Sequence, residues 1–108
     1  MRFIEYQTEV DQYDSDVPPY GLPGDEQTAQ GMLLYQGSLG LSGTAGLLAV
    51  DASQVMAAGG HVTDETGEAI VRHLGEVLRQ VARIATRVGV TLDEVAATDI
   101  TTLRDDIG

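Results

Sequence analysis

Between Gln27 and Val50 the chain carries no charged residue for 24 positions. In a protein of 108 residues such a run has few homes. It is long enough to raise a membrane span, but Gln30, Gln36, Ser38, Ser42 and Thr44 interrupt it, and no Lys, Arg or Trp anchors flank it. A helix wrapped by other helices is the better expectation. Its apolar residues are Met32, Leu33, Leu34, Leu39, Leu41, Leu47, Leu48 and Val50, and the helical pattern closes near Gly59-Gly60. Gly37, Gly40, Gly43 and Gly46 each weaken an interior helix by about 1 kcal/mol relative to alanine. They imply either a break between Gly37 and Gly43 or the close approach of a neighbouring backbone.

The flanking segments read as helices too. Phe3, Tyr6, Val10 and Tyr13 recur at helical spacing, giving a first helix over about 2–12 with Glu5, Glu9 and Asp11 on its other face. All three prolines (Pro18, Pro19, Pro23) fall in a loop over 14–25, either a lid or a connector. The uncharged run belongs to a second helix, about 26–58. Thr63 and Asp64 are N-cap types that open a third, about 64–88, with Gly89 as its stop. In it Ile70, Val71, Leu74, Val77, Leu78, Val81, Ile84, Ala85 and Val88 form one broad stripe, and Arg72, Arg79 and Arg83 lie opposite. Thr91-x-x-Glu94 is a capping box opening a fourth helix over about 92–105, whose buried side is Leu92, Val95, Ala96, Ile100 and Leu103. A single all-α domain over 1–108, a four-helix bundle, follows.

Charge narrows the partners. Seventeen acidic against six basic residues give a net charge of −11, which repels nucleic acid and anionic membranes alike. No nucleic-acid or membrane partner is expected. Without cysteine there is no thiolate nucleophile and no zinc-thiolate site, and Met1 is not followed by the apolar run of a signal peptide, so a cytoplasmic location is the default. All six basic residues are arginine. Arg72, Arg79, Arg83 and Arg87 read as a solvated face, or as a surface that meets the acidic first helix of another subunit.

Four segments taken in order carry a resemblance: Phe3-x-x-Tyr6-Gln7; Leu39-Gly40-Leu41-Ser42-Gly43-Thr44-Ala45-Gly46-Leu47; His73-Leu74-Gly75-Glu76; and Gly89-Val90-Thr91-Leu92-Asp93-Glu94-Val95 leading to Leu103-Arg104. Together they resemble the MazG-like group of the all-α nucleoside triphosphate pyrophosphohydrolases. In that family an E-x-x-E helix faces an E-x-x-D helix across magnesium, and members are typically homo-oligomers, which implies that this chain is a homo-oligomer whose bundle is completed by association. The resemblance implies that the four ligand positions are Thr44, Leu47, His73 and Glu76, so three of the four are lost. The site reads as degenerate.

One carboxylate does not hold a hard divalent cation, which takes several oxygen ligands in near-octahedral geometry. Glu76 is the surviving metal-ligand candidate. His73 suits a softer ion such as manganese or zinc, and Asp51, one turn beyond Leu47, is a further donor. The plainer reading is that Glu76 is solvated and His73 hydrogen-bonded. The family's phosphate-associated Asn and Lys of the fourth helix correspond to Asp99 and Thr102, with Arg104 nearby. Tyr6, Gln7, Tyr20 and Tyr35 are candidates for contact with a base, although buried tyrosines serve any core.

The expected function is therefore a MazG-like homologue, catalytically impaired, that keeps a pocket for a nucleotide or related small molecule and binds, senses or sequesters it. An active pyrophosphohydrolase using Mg2+ or Mn2+ at a site rebuilt from Glu76 with some of Asp51, His73 and Glu68 is one alternative. A structural or protein-interaction module is the other.

Overall fold

A computed structural model describes residues 1–16 and 26–107. Pro18, Pro19, Tyr20 and Pro23, with most of the 14–25 loop, lie outside the described residues. The described residues form four helices and no strand: α1 (Phe3–Asp16), α2 (Glu26–Ala57), α3 (Asp64–Arg87) and α4 (Leu92–Ile107). This is the all-α architecture expected from the periodicity, with α1 running four residues further than its apolar pattern indicates.

Local chemistry fixes the boundaries. Thr63 has extended backbone and its hydroxyl accepts from Thr66 N–H at 3.1 Å, the N-cap of α3. Thr91 and Glu94 close the capping box reciprocally: Glu94 N–H donates to Thr91 Oγ1 at 3.1 Å, and Thr91 N–H donates to Glu94 Oε2 at 2.8 Å. Both long helices stop on a glycine at positive φ, Gly59 at 72° and Gly89 at 79°. In each case the next N–H reaches back, Gly60 to Val55 O at 2.9 Å and Val90 to Ala85 O at 3.0 Å, which is the Schellman arrangement.

The break considered near Gly37 to Gly43 is absent, and α2 is continuous through all its glycines. Two of them explain why. A Cβ at Gly37 would lie 3.3 Å from Ile84 Cγ1, and one at Gly40 would lie 3.0 Å from Gln80 Nε2. These glycines form a notch that admits α3 side chains, so the propensity lost in α2 is offset by packing. The same pairings, with Asp51 against His73, show that α2 and α3 run antiparallel as a hairpin.

α1 and α4 sit at the C-terminal end of α3. Val10, Ala82, Ala85 and Leu92 form the buried cluster there, with Tyr6, Val81 and Val90 packed on it. Among the described residues neither α1 nor α4 packs on α2. Nothing among those residues covers the hairpin's far half, and Val71 and Leu74 of α3, which belong to the expected apolar stripe, are exposed. Along α4 only Leu92 is buried, whereas Val95, Ile100 and Leu103, expected inside, face outward. The radius of gyration is 16.7 Å, against about 13 Å for a compact chain of this length.

Candidate functional site

Of the positions singled out by sequence, Asp51 and His73 meet across the α2–α3 seam. Thr44 and Asp51, two turns apart, are the buried polar residues of α2, at 8% and 5% exposure. Thr44 Oγ1 donates to Gly40 O at 3.0 Å, so its hydroxyl is satisfied within its own helix. Leu47 is exposed. His73 and Glu76 are half-buried on α3.

His73 does not stand alone. Its Nδ1 lies 2.5 Å from Asp51 Oδ2, with both side chains largely shielded from water. An ionised carboxylate only accepts hydrogen bonds, so the proton belongs on Nδ1, and the pair ties α2 to α3 across the uncovered half of the hairpin. Sequence reasoning brought Asp51 and His73 forward separately as metal donors. The structure joins them as partners of each other.

Among the described residues no three His, Cys, Asp or Glu side chains converge. The donor set does not fit a magnesium or manganese ion: Glu76 supplies one carboxylate, Asp51 is bonded to His73, and Thr44 is bonded to its own helix.

Gln7 and Tyr6, named as ligand contacts, have work inside the fold. Gln7 Nε2 donates to Thr86 Oγ1 and to Val90 O, each at 3.0 Å, while its Oε1 accepts the Leu92 N–H at 3.0 Å. All of its amide hydrogens are used, and one of the orphan donors at the start of α4 is satisfied. Tyr6 packs on the buried cluster. Asp99, Thr102 and Arg104 are exposed on α4, which makes no contact with α2 and so lies apart from the seam. Thr102 Oγ1 donates to Thr98 O at 3.1 Å. Tyr35 is exposed on α2.

The arginines do not form a uniform solvated face. Arg83 Nε donates to both oxygens of Asp14 at 3.0 and 2.9 Å, and Arg83 Nη2 lies 2.8 Å from Oδ1. Asp14, which the sequence pattern places in the loop, is thus held on α1 and pairs with α3 of the same chain. Arg87 Nη1 reaches Gln30 Oε1 at 3.5 Å, and Arg72 is exposed. Arg79 Nε is buried without a partner among the described residues.

Between α1 and α2, which do not pack on each other among the described residues, a cleft of about 340 Å³ opens beside α3. Tyr13 and Asp14 of α1, Gln36 of α2, and Gln80, Arg83 and Arg87 of α3 line it. Arg83 is paired with Asp14, whereas Arg87, whose Nη1 reaches Gln30, has no ion pair among the described residues. A phenol, two carboxamides and one net positive charge suit a small, flat, anionic molecule. Sequence reasoning missed this site because its walls come from three helices. The signal available was the clustering of arginines on α3 in a chain otherwise so acidic.

α2 is also the one described helix long and apolar enough, over Ala29–Ala57, to cross a membrane by length and composition. Compared with known proteins, the chain matches no family model, no curated protein and no solved structure.

Proposed function

We propose that this chain is a MazG-like helical protein that binds a nucleotide or a related anionic small molecule without hydrolysing it. The observation that carries the reading is the Asp51–His73 pair. At the seam where the resemblance places a cation, the imidazole of His73 and the nearest added carboxylate, Asp51, are hydrogen-bonded to each other, and among the described residues no group of three His, Cys, Asp or Glu side chains forms around Glu76. Without a metal there is neither neutralisation of a polyphosphate nor activation of water, the two services that such hydrolysis requires.

The cleft beside Tyr13 and Arg87 supports the binding half of the reading. Its volume is at the lower end of small-ligand sites, and its described lining carries two arginines against one aspartate in a chain of charge −11. A cytoplasmic location belongs to the same proposal, since free nucleotides are found there.

Equilibrium titration with a panel of nucleoside mono-, di- and triphosphates, in the absence of metal, tests it. Saturable binding that weakens about tenfold or more in Arg87→Ala and in Tyr13→Ala is expected. Binding that is indifferent to both substitutions removes the cleft from the account.

A further inference from the structure

The Asp51–His73 pair uses only one side of the imidazole. Nδ1 gives its hydrogen to the carboxylate, so the neutral ring keeps its lone pair on Nε2. Nε2 makes no hydrogen bond among the described residues. Nor is it one of the buried polar atoms without a partner, of which the described residues hold only Arg79 Nε. Solvent therefore reaches it, on a side chain that is 14% exposed against 7% for Asp51.

A shielded carboxylate behind an accessible ring nitrogen is the arrangement of an activated nucleophile. The carboxylate fixes the tautomer and the ring's orientation, and it offsets the positive charge the ring acquires when Nε2 forms a bond. Two packed helices carry the partners, so the direction of the lone pair is set before a reactant arrives. The other histidine lacks all of this. His61 is exposed between α2 and α3, and its ring has no hydrogen bond or ion pair among the described residues.

We infer that His73 Nε2 is a phosphoryl acceptor, converted to phosphohistidine by an acyl phosphate. The inference makes no use of the cleft and stands or falls apart from the ligand-binding reading.

The step balances without a further reactant. The Nε2 lone pair attacks phosphorus and forms the N–P bond, while the P–O bond to the acyl group breaks and its electron pair leaves on a carboxylate. The Nδ1 proton stays in its hydrogen bond to Asp51, so no proton has to be transferred.

The donor class follows from what stands beside the pair. The leaving group of a nucleoside triphosphate relies on metal ions to carry its developing charge, and among the described residues no group of three His, Cys, Asp or Glu side chains forms. A carboxylate leaves without that help. Glu76, one turn along α3, opposes an incoming phosphoryl group. Arg72 is exposed, has no ion pair among the described residues, and lies about 40° from Glu76 around the same helix, so its guanidinium can offset that carboxylate. The net charge of −11 acts from further off and is screened beyond about 8 Å at physiological ionic strength.

Incubating the full chain with acetyl phosphate, in the absence of metal, tests the inference. Intact-mass and fragment spectra are expected to show one phosphoryl group, on His73, lost in acid and kept in base as a phosphoramidate is. His61→Gln is expected to keep the label and His73→Gln to lose it. Asp51→Asn retains an oxygen that accepts from Nδ1–H but removes the charge, and labelling is expected to slow by about tenfold or more while the chain stays folded. A pair that served only to hold the helices together would leave that rate unchanged in a folded variant, and an unchanged rate overturns the activation by Asp51. Label on His61, label shared equally by both histidines, or acid-stable label on a hydroxyl overturns the inference, as does no label on the folded, unmodified chain. Fragment spectra of the unmodified chain read the site even where His73→Gln fails to fold.

Discussion

Replacing Gln7 by alanine removes three hydrogen bonds with one substitution: those to Thr86 Oγ1 and Val90 O, and the one from Leu92 N–H. Each spans about 80 residues of sequence, and together they join α1, the end of α3 and the start of α4. At about 1 kcal/mol net per bond in a part-buried setting, the loss is about 2–3 kcal/mol. For a domain of this size that is a fall in Tm of roughly 10–20 °C. Urea unfolding at fixed protein concentration measures it, since any assembly would make the midpoint concentration-dependent. Amide exchange adds a local readout: beyond Leu92 α4 has no buried residue, so Gln7→Ala is expected to release the Leu92 amide and the turns after it. Gln7→Glu keeps the acceptor for Leu92 N–H and loses both donors, so its effect falls in between. A change below about 0.5 kcal/mol in Gln7→Ala, with the Leu92 amide still protected, refutes the clasp.

Other substitutions probe the seam and the helix ends. Asp51→Leu and His73→Leu, made singly, each leave a shielded polar partner unpaired and are expected to cost about 2–4 kcal/mol, while the double variant recovers more than half of the summed loss; a double-mutant cycle with no coupling contradicts the pairing. Gly89→Ala forces a side chain into φ 79° and is expected to cost about 1–2 kcal/mol in thermal unfolding. Gly75→Ala, on an open face of α3, gains about 0.5–1 kcal/mol by the same measurement. Thr91→Ala opens the capping box and costs about 1 kcal/mol, read as fraying of α4 by exchange.

What was legible in the sequence was what neighbouring residues decide. Thr63, the Thr91 to Glu94 box and Gly89 announce their caps because the atoms involved are within four residues of one another. Helical periodicity located all four elements for the same reason. The pairings that organise the site are of another kind. Gln7 with Val90, Asp14 with Arg83 and Asp51 with His73 depend on how helices cross, and nothing local to either partner reveals it. Sequence alone reads the arginines as a solvated face or as a surface for the first helix of another subunit; Arg83 instead pairs with Asp14 of its own chain, a residue that the periodicity assigns to the loop. The buried side expected for α4 failed because periodicity reports which face is apolar, not whether anything covers it. On α2 the glycines were ambiguous in sequence, and the structure divides them: Gly37 and Gly40 receive Gln80 and Ile84, whereas Gly43 and Gly46 face open space.

In the proposed function a MazG-like framework has lost its cation and, with it, hydrolysis. Release of pyrophosphate from a panel of nucleoside triphosphates, with magnesium or manganese and in a matched sample lacking metal, is the measurement that decides it. No metal-dependent release is expected from folded protein, and none gained or lost in Glu76→Ala. Metal-dependent release that disappears in Glu76→Ala would contradict it, and would mean that Glu76 holds a cation despite the pairing of Asp51 with His73.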